Sequence, residues 1–128
     1  MQEAHTAATL LVAAPVLAFV LGACAPAGDA RAPAAAGDAA RGARLVAQYQ
    51  CGSCHAIPGV AAARGRVGPS LESYGLRSYI AGRFPNRQDL LAQWIERPSS
   101  LVPGTPMPDM GVPPADARDM AAWLMELR

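Results

Sequence analysis

The sequence predicts a single all-α domain over residues 38–128. Helical patterns open and close this segment, and a third lies between them and stops at a proline. The chain is 52% hydrophobic but only 5% aromatic, so much of its apolar share is alanine. A small domain with few large side chains builds a thin core, and a buried cofactor would supply the apolar volume that it lacks.

The first and last helices are predicted to cross. The first runs from about Asp38, a residue suited to an N-cap, to about Gln50. The last begins near Pro114, because proline suits the first helical position. Its apolar stripe has the spacing i, i+3, i+4 and i+7 and comprises Met120, Trp123, Leu124 and Leu127. Because the first helix carries the small Gly42 and the last the large Trp123, we expect these two residues to face each other at a close crossing.

A third helix is predicted from about Arg87 to Arg97, with Asn86 as its N-cap. Its buried face comprises Leu91, Trp94 and Ile95. Pro98 ends it, since the residue before a proline avoids the helical conformation. The loop that follows, residues 102–108, contains three prolines, which fix φ and remove backbone donors, so we expect no regular structure there.

The motif that dominates the sequence is Cys51-Gly52-Ser53-Cys54-His55, a C-x-x-C-H pattern typical of c-type haem attachment. Two thiols three positions apart on a helical turn can each add to one vinyl group of the same porphyrin, and the histidine can then ligate the iron. The alternatives are a redox C-x-x-C and half of a zinc site. No strand precedes the motif, and the rest of the chain offers only Cys24 and His5 as further zinc ligands of this kind. We therefore interpret the motif as the site of one haem c.

The N-terminal segment is predicted to export and tether the domain. The apolar run from Leu10 to Ala23 has the length of a signal peptide and, with its flanks, could just span a membrane. It leads into Cys24 in a sequence that is similar to a bacterial lipobox, so we expect a lipid on that cysteine. No lysine or arginine precedes the run, which leaves an uncleaved anchor, residues 1–23, as the alternative.

Residues 24–37, rich in alanine, proline and glycine, are predicted to be a linker. Both alternatives place the domain on the periplasmic side of the bacterial cytoplasmic membrane.

Over residues 37–127 the chain resembles the class I cytochromes c. The features come in that family's order: a glycine in the first helix, the C-x-x-C-H motif, Gly68-Pro69-Ser70-Leu71, a tryptophan-bearing helix and Pro103-Gly104-Thr105-Pro106-Met107. Residues 79–86 and 103–108 are similar to the cytochrome c domain of caa3-type oxidase subunit II. The resemblance implies the class I cytochrome c fold, with three to five short helices and loops around the haem. It also implies a one-electron carrier rather than an enzyme.

The resemblance further implies which residues hold the haem on one side of the site. Cys51 and Cys54 would form the thioethers, and His55 would be the first iron ligand. The His55 ring N–H would donate a hydrogen bond to the carbonyl oxygen of Pro69, which fixes the ring and raises the basicity of the ligating nitrogen.

On the opposite side, the resemblance implies that Met107 is the second iron ligand, a soft thioether that raises the reduction potential relative to a second histidine. Trp94 would lie near its sulfur, and Thr105 would help bind a haem propionate. Met110 is a rival ligand three residues on, and the spacing from Pro-Gly-Thr favours Met107. Further candidates for the propionates are Tyr79, Arg83 and Asn86.

Redox proteins are the partners that the resemblance implies. We expect a quinol-oxidising complex as electron donor and a haem-copper oxidase as acceptor, and no nucleic-acid partner. One alternative is a haem enzyme or ligand sensor, such as a peroxidase, in which the methionine leaves the iron. Another is a fixed cytochrome subunit of a respiratory complex.

A cluster of arginines in the middle of the chain predicts a basic face, although the net charge is only +1. Residues 64–87 contain a single acidic residue, Glu72, and five arginines: Arg64, Arg66, Arg77, Arg83 and Arg87. Such a face would steer an acidic partner and raise the association rate more than the affinity. The alternative is that these arginines are scattered solvated charges, or that one or two of them bind the propionates instead.

Overall fold

The structure, a computed structural model, describes residues 36–128. The predicted leader, Cys24 and most of the predicted linker lie outside the described residues. Within the described part, no helix has the length and apolar character needed to cross a membrane.

The described domain is mainly helical, which confirms the predicted all-α class. Its helices are α1 (Ala39–Gln48), α2 (Gln88–Glu96), α3 (Pro98–Leu101) and α4 (Pro114–Glu126). Short 3-10 turns occupy Cys51–Ser53 and Tyr74–Leu76. Two strands of two residues each, β1 (Tyr79–Ile80) and β2 (Phe84–Pro85), pair antiparallel as a hairpin that the sequence analysis did not predict.

Helix α1 begins where the sequence predicts. Asp38 has extended backbone, and its side chain accepts a hydrogen bond of 2.9 Å from the N–H of Arg41. This contact satisfies one of the free donors of the first turn. The helix ends at Gln48, slightly before the predicted end, because Gln50 takes a left-handed conformation with φ 55° and redirects the chain into the next turn.

Arg87 occupies the N-cap position of α2 without a side-chain capping bond, so the prediction that Asn86 is the N-cap was wrong. The amide nitrogen of Asn86 instead donates to the carbonyl oxygens of Tyr74 at 3.1 Å and Arg77 at 3.0 Å. Its side chain therefore braces the segment that precedes the hairpin. The helix stops before Pro98, as predicted, and Pro98 also opens α3 at the first helical position.

Helices α1 and α4 cross in close contact at Gly42. A Cβ at this position would lie 2.0 Å from the carbonyl oxygen of Asp119, so a larger residue would force the two backbones apart. The predicted close crossing is confirmed, but the predicted partner Trp123 was wrong. The α4 backbone meets Gly42 at Asp119 and Met120, one turn before Trp123.

Candidate cofactor site

A cavity of about 560 Å³ opens between the helices and the two long loops. This volume lies within the roughly 300–1,000 Å³ of small-molecule and cofactor sites. All seven predicted site residues line it: Cys51, Cys54, His55, Pro69, Trp94, Thr105 and Met107. Much of the remaining wall is apolar and comes from α1, α2 and α4, through residues that include Val46, Leu91, Ile95, Met120 and Leu124.

The C-x-x-C-H turn, residues 51–55, forms one wall of the cavity. The N–H groups of Cys54 and His55 both donate to the carbonyl oxygen of Cys51, at 3.2 and 3.0 Å, which wraps the turn tightly and brings both thiols to the cavity. Burial raises the pKa of the Cys51 thiol, and the neighbouring Cys54 adds to the rise. A redox C-x-x-C works through an accessible thiolate, so this environment disfavours the redox alternative.

The zinc alternative also lacks support in the described residues. Within residues 36–128, no three or more His, Cys, Asp and Glu side chains lie close enough together to hold a metal ion. A structural zinc site takes four such ligands.

A loop of residues 63–68 is hydrogen-bonded directly to the C-x-x-C-H turn. The N–H of Gly65 donates to the carbonyl oxygen of Gly52 at 3.0 Å, and the N–H of Gly68 donates to that of Cys54 at 2.8 Å. A Cβ at Gly65 would lie 2.3 Å from the carbonyl carbon of Cys54, so the two segments are in backbone contact. The backbone of this loop is therefore held in a fixed relation to the turn.

The imidazole of His55 is held from two sides. Its Nδ1 lies 2.6 Å from the carbonyl oxygen of Pro69, which is the hydrogen bond that the resemblance implied. A Cβ at Gly68 would lie 2.3 Å from its Cε1, so glycine makes room for the ring. Because a carbonyl oxygen can only accept, Nδ1 carries the proton and Nε2 keeps the lone pair that can bind a metal.

Met107 and Met110 differ in their relation to the cavity. Met107 is half-buried and lines the wall, and its N–H donates to the hydroxyl oxygen of Thr105 at 3.3 Å. Gly104, with φ 77°, turns the chain ahead of this pair in a conformation that favours glycine. Met110 is 44% exposed and lies outside the cavity wall. This geometry favours Met107 as a ligand to a group in the cavity.

Polar side chains reach the cavity from the hairpin. Tyr79 and Arg83, two of the three propionate candidates, line the wall. Asn86 does not line the cavity, because its amide nitrogen donates to backbone carbonyl oxygens of the segment that precedes the hairpin. Arg77, predicted only as one of the arginines of the basic face, also lines the cavity.

Arg77 is fixed in the wall by two contacts. Its guanidinium carbon lies 4.9 Å from the centroid of the Tyr74 ring, within the range of a cation–π contact, and its Nη2 donates to the carbonyl oxygen of Ser70. Burial raises the pKa of Tyr74 to about 12, so the ring beneath the cation stays neutral. The three-residue spacing of Tyr74 and Arg77 was the only sequence signal for this arrangement.

The basic face is smaller than the sequence predicted. Arg87 forms an ion pair with Asp89, which raises the pKa of the arginine and lowers that of the carboxyl. Among residues 36–128, no carboxylate pairs with the other four arginines, Arg64, Arg66, Arg77 and Arg83. Two of these, Arg64 and Arg66, sit on the loop that is bonded to the C-x-x-C-H turn. Beside them, Val67 lines the cavity yet is 82% exposed, so it marks the mouth.

Residues 39–128 match the family model for cytochrome c. This chain belongs to the cytochrome c family. It is similar to cytochrome c oxidase subunit 2 of Alkalihalophilus pseudofirmus, with 34% identity over 88 residues that cover 69% of this chain and 24% of that protein. It is also similar to cytochrome c oxidase subunit 2 of Bacillus sp. (strain PS3), with 28% identity over 81 residues that cover 62% of this chain and 23% of that protein. The chain thus spans about a quarter of the length of the curated relatives that it matches.

Membership of this family confirms the predicted class I cytochrome c fold and implies a c-type haem in the cavity. The wall fits such a group. It combines two thiols, an imidazole with its proton held away on Nδ1, a thioether and a largely apolar surround. The role common to the family is electron transfer by a haem.

Proposed function

We propose that this cytochrome c is a one-electron carrier with a single haem, bonded covalently to Cys51 and Cys54 and ligated by His55 and Met107. The observation that carries the proposal is the cavity, which collects these four side chains on its wall. When bound, the haem supplies a one-electron Fe(III)/Fe(II) couple.

The chain's own residues set the properties of this couple. The Pro69 carbonyl holds the His55 ring at one angle and makes its free nitrogen a better ligand. The Met107 thioether prefers the reduced iron. Buried apolar side chains in the wall, among them Leu91 and Met120, keep water from the site and favour the less charged, reduced form. Together they favour a carrier of relatively high potential.

Electrons would leave at the mouth of the cavity marked by Val67. The fixed loop that carries Arg64 and Arg66 borders this mouth, and both arginines are free of carboxylate partners in the described part of the chain. An acidic partner would be steered to this edge. We propose a haem-copper oxidase as acceptor, in keeping with the similarity to cytochrome c oxidase subunit 2, and a quinol-oxidising complex as donor.

The carrier would be tethered on the periplasmic side of the bacterial cytoplasmic membrane. The apolar run before Cys24 supports this proposal, either through a lipid on that cysteine or as an uncleaved anchor. Residues 24–37 would then give the domain the reach to move between donor and acceptor.

Carbon monoxide binding to the reduced holoprotein tests the assignment as a carrier. If His55 and Met107 both hold the iron, binding should be slow and weak. Tight, fast binding in the wild-type protein would contradict it and favour the haem enzyme or sensor with a displaceable methionine.

A further inference from the structure

A polar cluster joins α1 to α4 outside the cavity. The Arg41 guanidinium bonds to the carboxylates of both Asp116 and Asp119. The Tyr49 hydroxyl donates to Asp116 Oδ2 at 2.8 Å, and the Asp38 N–H donates to Asp119 Oδ1 at 2.8 Å. Both carboxylates are only 14% exposed, although the Arg41 side chain that binds them is 42% exposed.

Tyr49 stands where α1 passes into the C-x-x-C-H turn. Its N–H closes the last bond of the helix, to the carbonyl oxygen of Leu45 at 2.8 Å. The next residue, Gln50, is left-handed, and its carbonyl oxygen accepts from the N–H of Ser53 at 2.9 Å inside the turn. Whatever fixes Tyr49 therefore also fixes the point at which the turn leaves the helix.

The two aspartates anchor opposite ends of α1. Asp116 reaches Tyr49 at the end of the helix, beside the turn. Asp119 reaches the N–H of Asp38 at the start of the helix and makes no contact with Tyr49. Both aspartates bind Arg41, but their other hydrogen-bond partners differ. A substitution of Asp119 is therefore a matched control for the same substitution of Asp116.

We propose that Tyr49 and Asp116 are positioning residues for the C-x-x-C-H turn. Their hydroxyl–carboxylate bond ties the start of the turn to α4 and so sets the orientation of the groups that hold the haem. The inference rests on the proposed function, because it takes this turn to be the haem site. A hydrogen bond to an ionised carboxylate is stronger than one between neutral groups, which suits the bond to this role.

The bond is at full strength at neutral pH. Hydrogen bonds from Tyr49 and then from Arg41 hold the pKa of Asp116 below its usual range. The ionised Asp116 carboxylate therefore contributes fully to stability above the ordinary carboxyl pKa, and this contribution is lost as the pH falls through the lowered pKa. The charged and titratable groups around Asp116 are Arg41 on α1, Tyr49 directly after α1, and Asp119 on the same helix as Asp116.

The test uses the haem-loaded protein at pH 7 and the variants Tyr49→Phe, Asp116→Asn and their combination, with Asp119→Asn as control. Amide hydrogen exchange is measured at Ser53, Cys54 and His55, whose N–H groups bond within the turn. We expect about fivefold faster exchange in Tyr49→Phe, from the loss of one hydrogen bond. Asp116→Asn should accelerate exchange less, because the amide oxygen still accepts from the Tyr49 hydroxyl but carries no charge. The combination should exchange no faster than Tyr49→Phe alone, since the bond is already absent there. Asp119→Asn should lower the melting temperature and leave these amides unchanged.

The reduction potential gives a second readout that global stability does not predict. Tyr49→Phe changes no charge, yet a looser turn admits water to the site, so we expect a lower potential than in the wild type. Unchanged turn exchange in Tyr49→Phe, or equal acceleration in Asp119→Asn, would overturn the inference and leave the cluster as a helix clamp only. The mass of the same samples shows whether haem is attached. A chain without haem would overturn the proposed function, and this inference with it.

Discussion

The Nδ1 of His55 lies 2.6 Å from the carbonyl oxygen of Pro69, and the preceding residue, Gly68, packs so closely against the ring that a Cβ at Gly68 would clash with it. The segment of residues 68–69 thus orients the imidazole through a hydrogen bond and packs its backbone directly against the ring. A tautomer fixed in this way keeps Nε2 ready as a metal ligand.

The variant Gly68→Ala should disturb this arrangement, because the added Cβ would lie 2.3 Å from His55 Cε1. We expect the free energy of unfolding to fall by about 1–3 kcal/mol, the usual cost of overpacking, and the reduction potential to shift as the ring rotates. Urea unfolding and potentiometry measure the two effects. Gly59→Ala is the control: a Cβ there meets nothing within 4 Å, although φ is 73°. It should cost some stability and leave the potential unchanged. A Gly68→Ala potential equal to that of the wild type would contradict the account of the ring.

Met107→Ala should abolish the weak near-infrared charge-transfer band of a methionine–Fe(III) bond in the oxidised protein. Met110→Ala is the matched control, since Met110 is 44% exposed and lies outside the cavity wall, and it should keep the band. Absorption spectra of the oxidised proteins decide between them. The reverse pattern would identify Met110 as the ligand.

The double variant Arg64→Glu with Arg66→Glu should slow electron transfer to a haem-copper oxidase severalfold at low ionic strength, because it reverses the charge at the cavity mouth. Salt should shrink the difference, since screening weakens the steering field. Stopped-flow oxidation of the reduced carrier at several salt concentrations measures this. Arg87→Glu with Arg97→Glu makes the same change in charge at arginines already paired with acids and should slow the reaction less. Equal rates in wild type and the Arg64/Arg66 variant at all salt concentrations would exclude this docking edge.

The starts of α1 and α4 could be predicted because their signals are local. Asp38 caps α1 through a contact three residues away, and Pro114 opens α4 through its own ring. The C-x-x-C-H motif and the Pro-Gly-Thr-x-Met segment are local in the same sense. Their meeting in one cavity followed from the resemblance to a family, since spacing alone does not fix a fold.

The errors and omissions involve contacts that the local sequence pattern does not specify. Gly42 signalled a close approach, but nothing in the sequence fixed which turn of α4 it would meet. Asn86 had the chemistry of an N-cap, yet its amide nitrogen donates to two carbonyls nine and twelve residues earlier, which holds the side chain toward that segment instead. The hairpin strands have only two residues each, too few for an alternating pattern to be recognised.

Cys24→Ala tests the proposed tether. If the cysteine carries a lipid, the variant should accumulate as a precursor that migrates more slowly, and labelled palmitate should enter the wild type only. Gel mobility and labelling in cells that make the protein measure both effects. Cys54→Ala is a control in the folded domain and should leave the labelling intact. An unlabelled wild type that retains Met1 would favour the uncleaved anchor instead.

The mass of the denatured wild-type chain, made in cells that attach haem and then extracted with acid acetone, tests the central claim most directly. Thioether bonds survive this treatment and iron coordination does not, so we expect one haem in addition to the mass of the mature chain with its lipid or uncleaved anchor. The variant Cys51→Ser with Cys54→Ser should lose the added mass. A wild-type chain without bound haem, or one that carries two, would contradict the account.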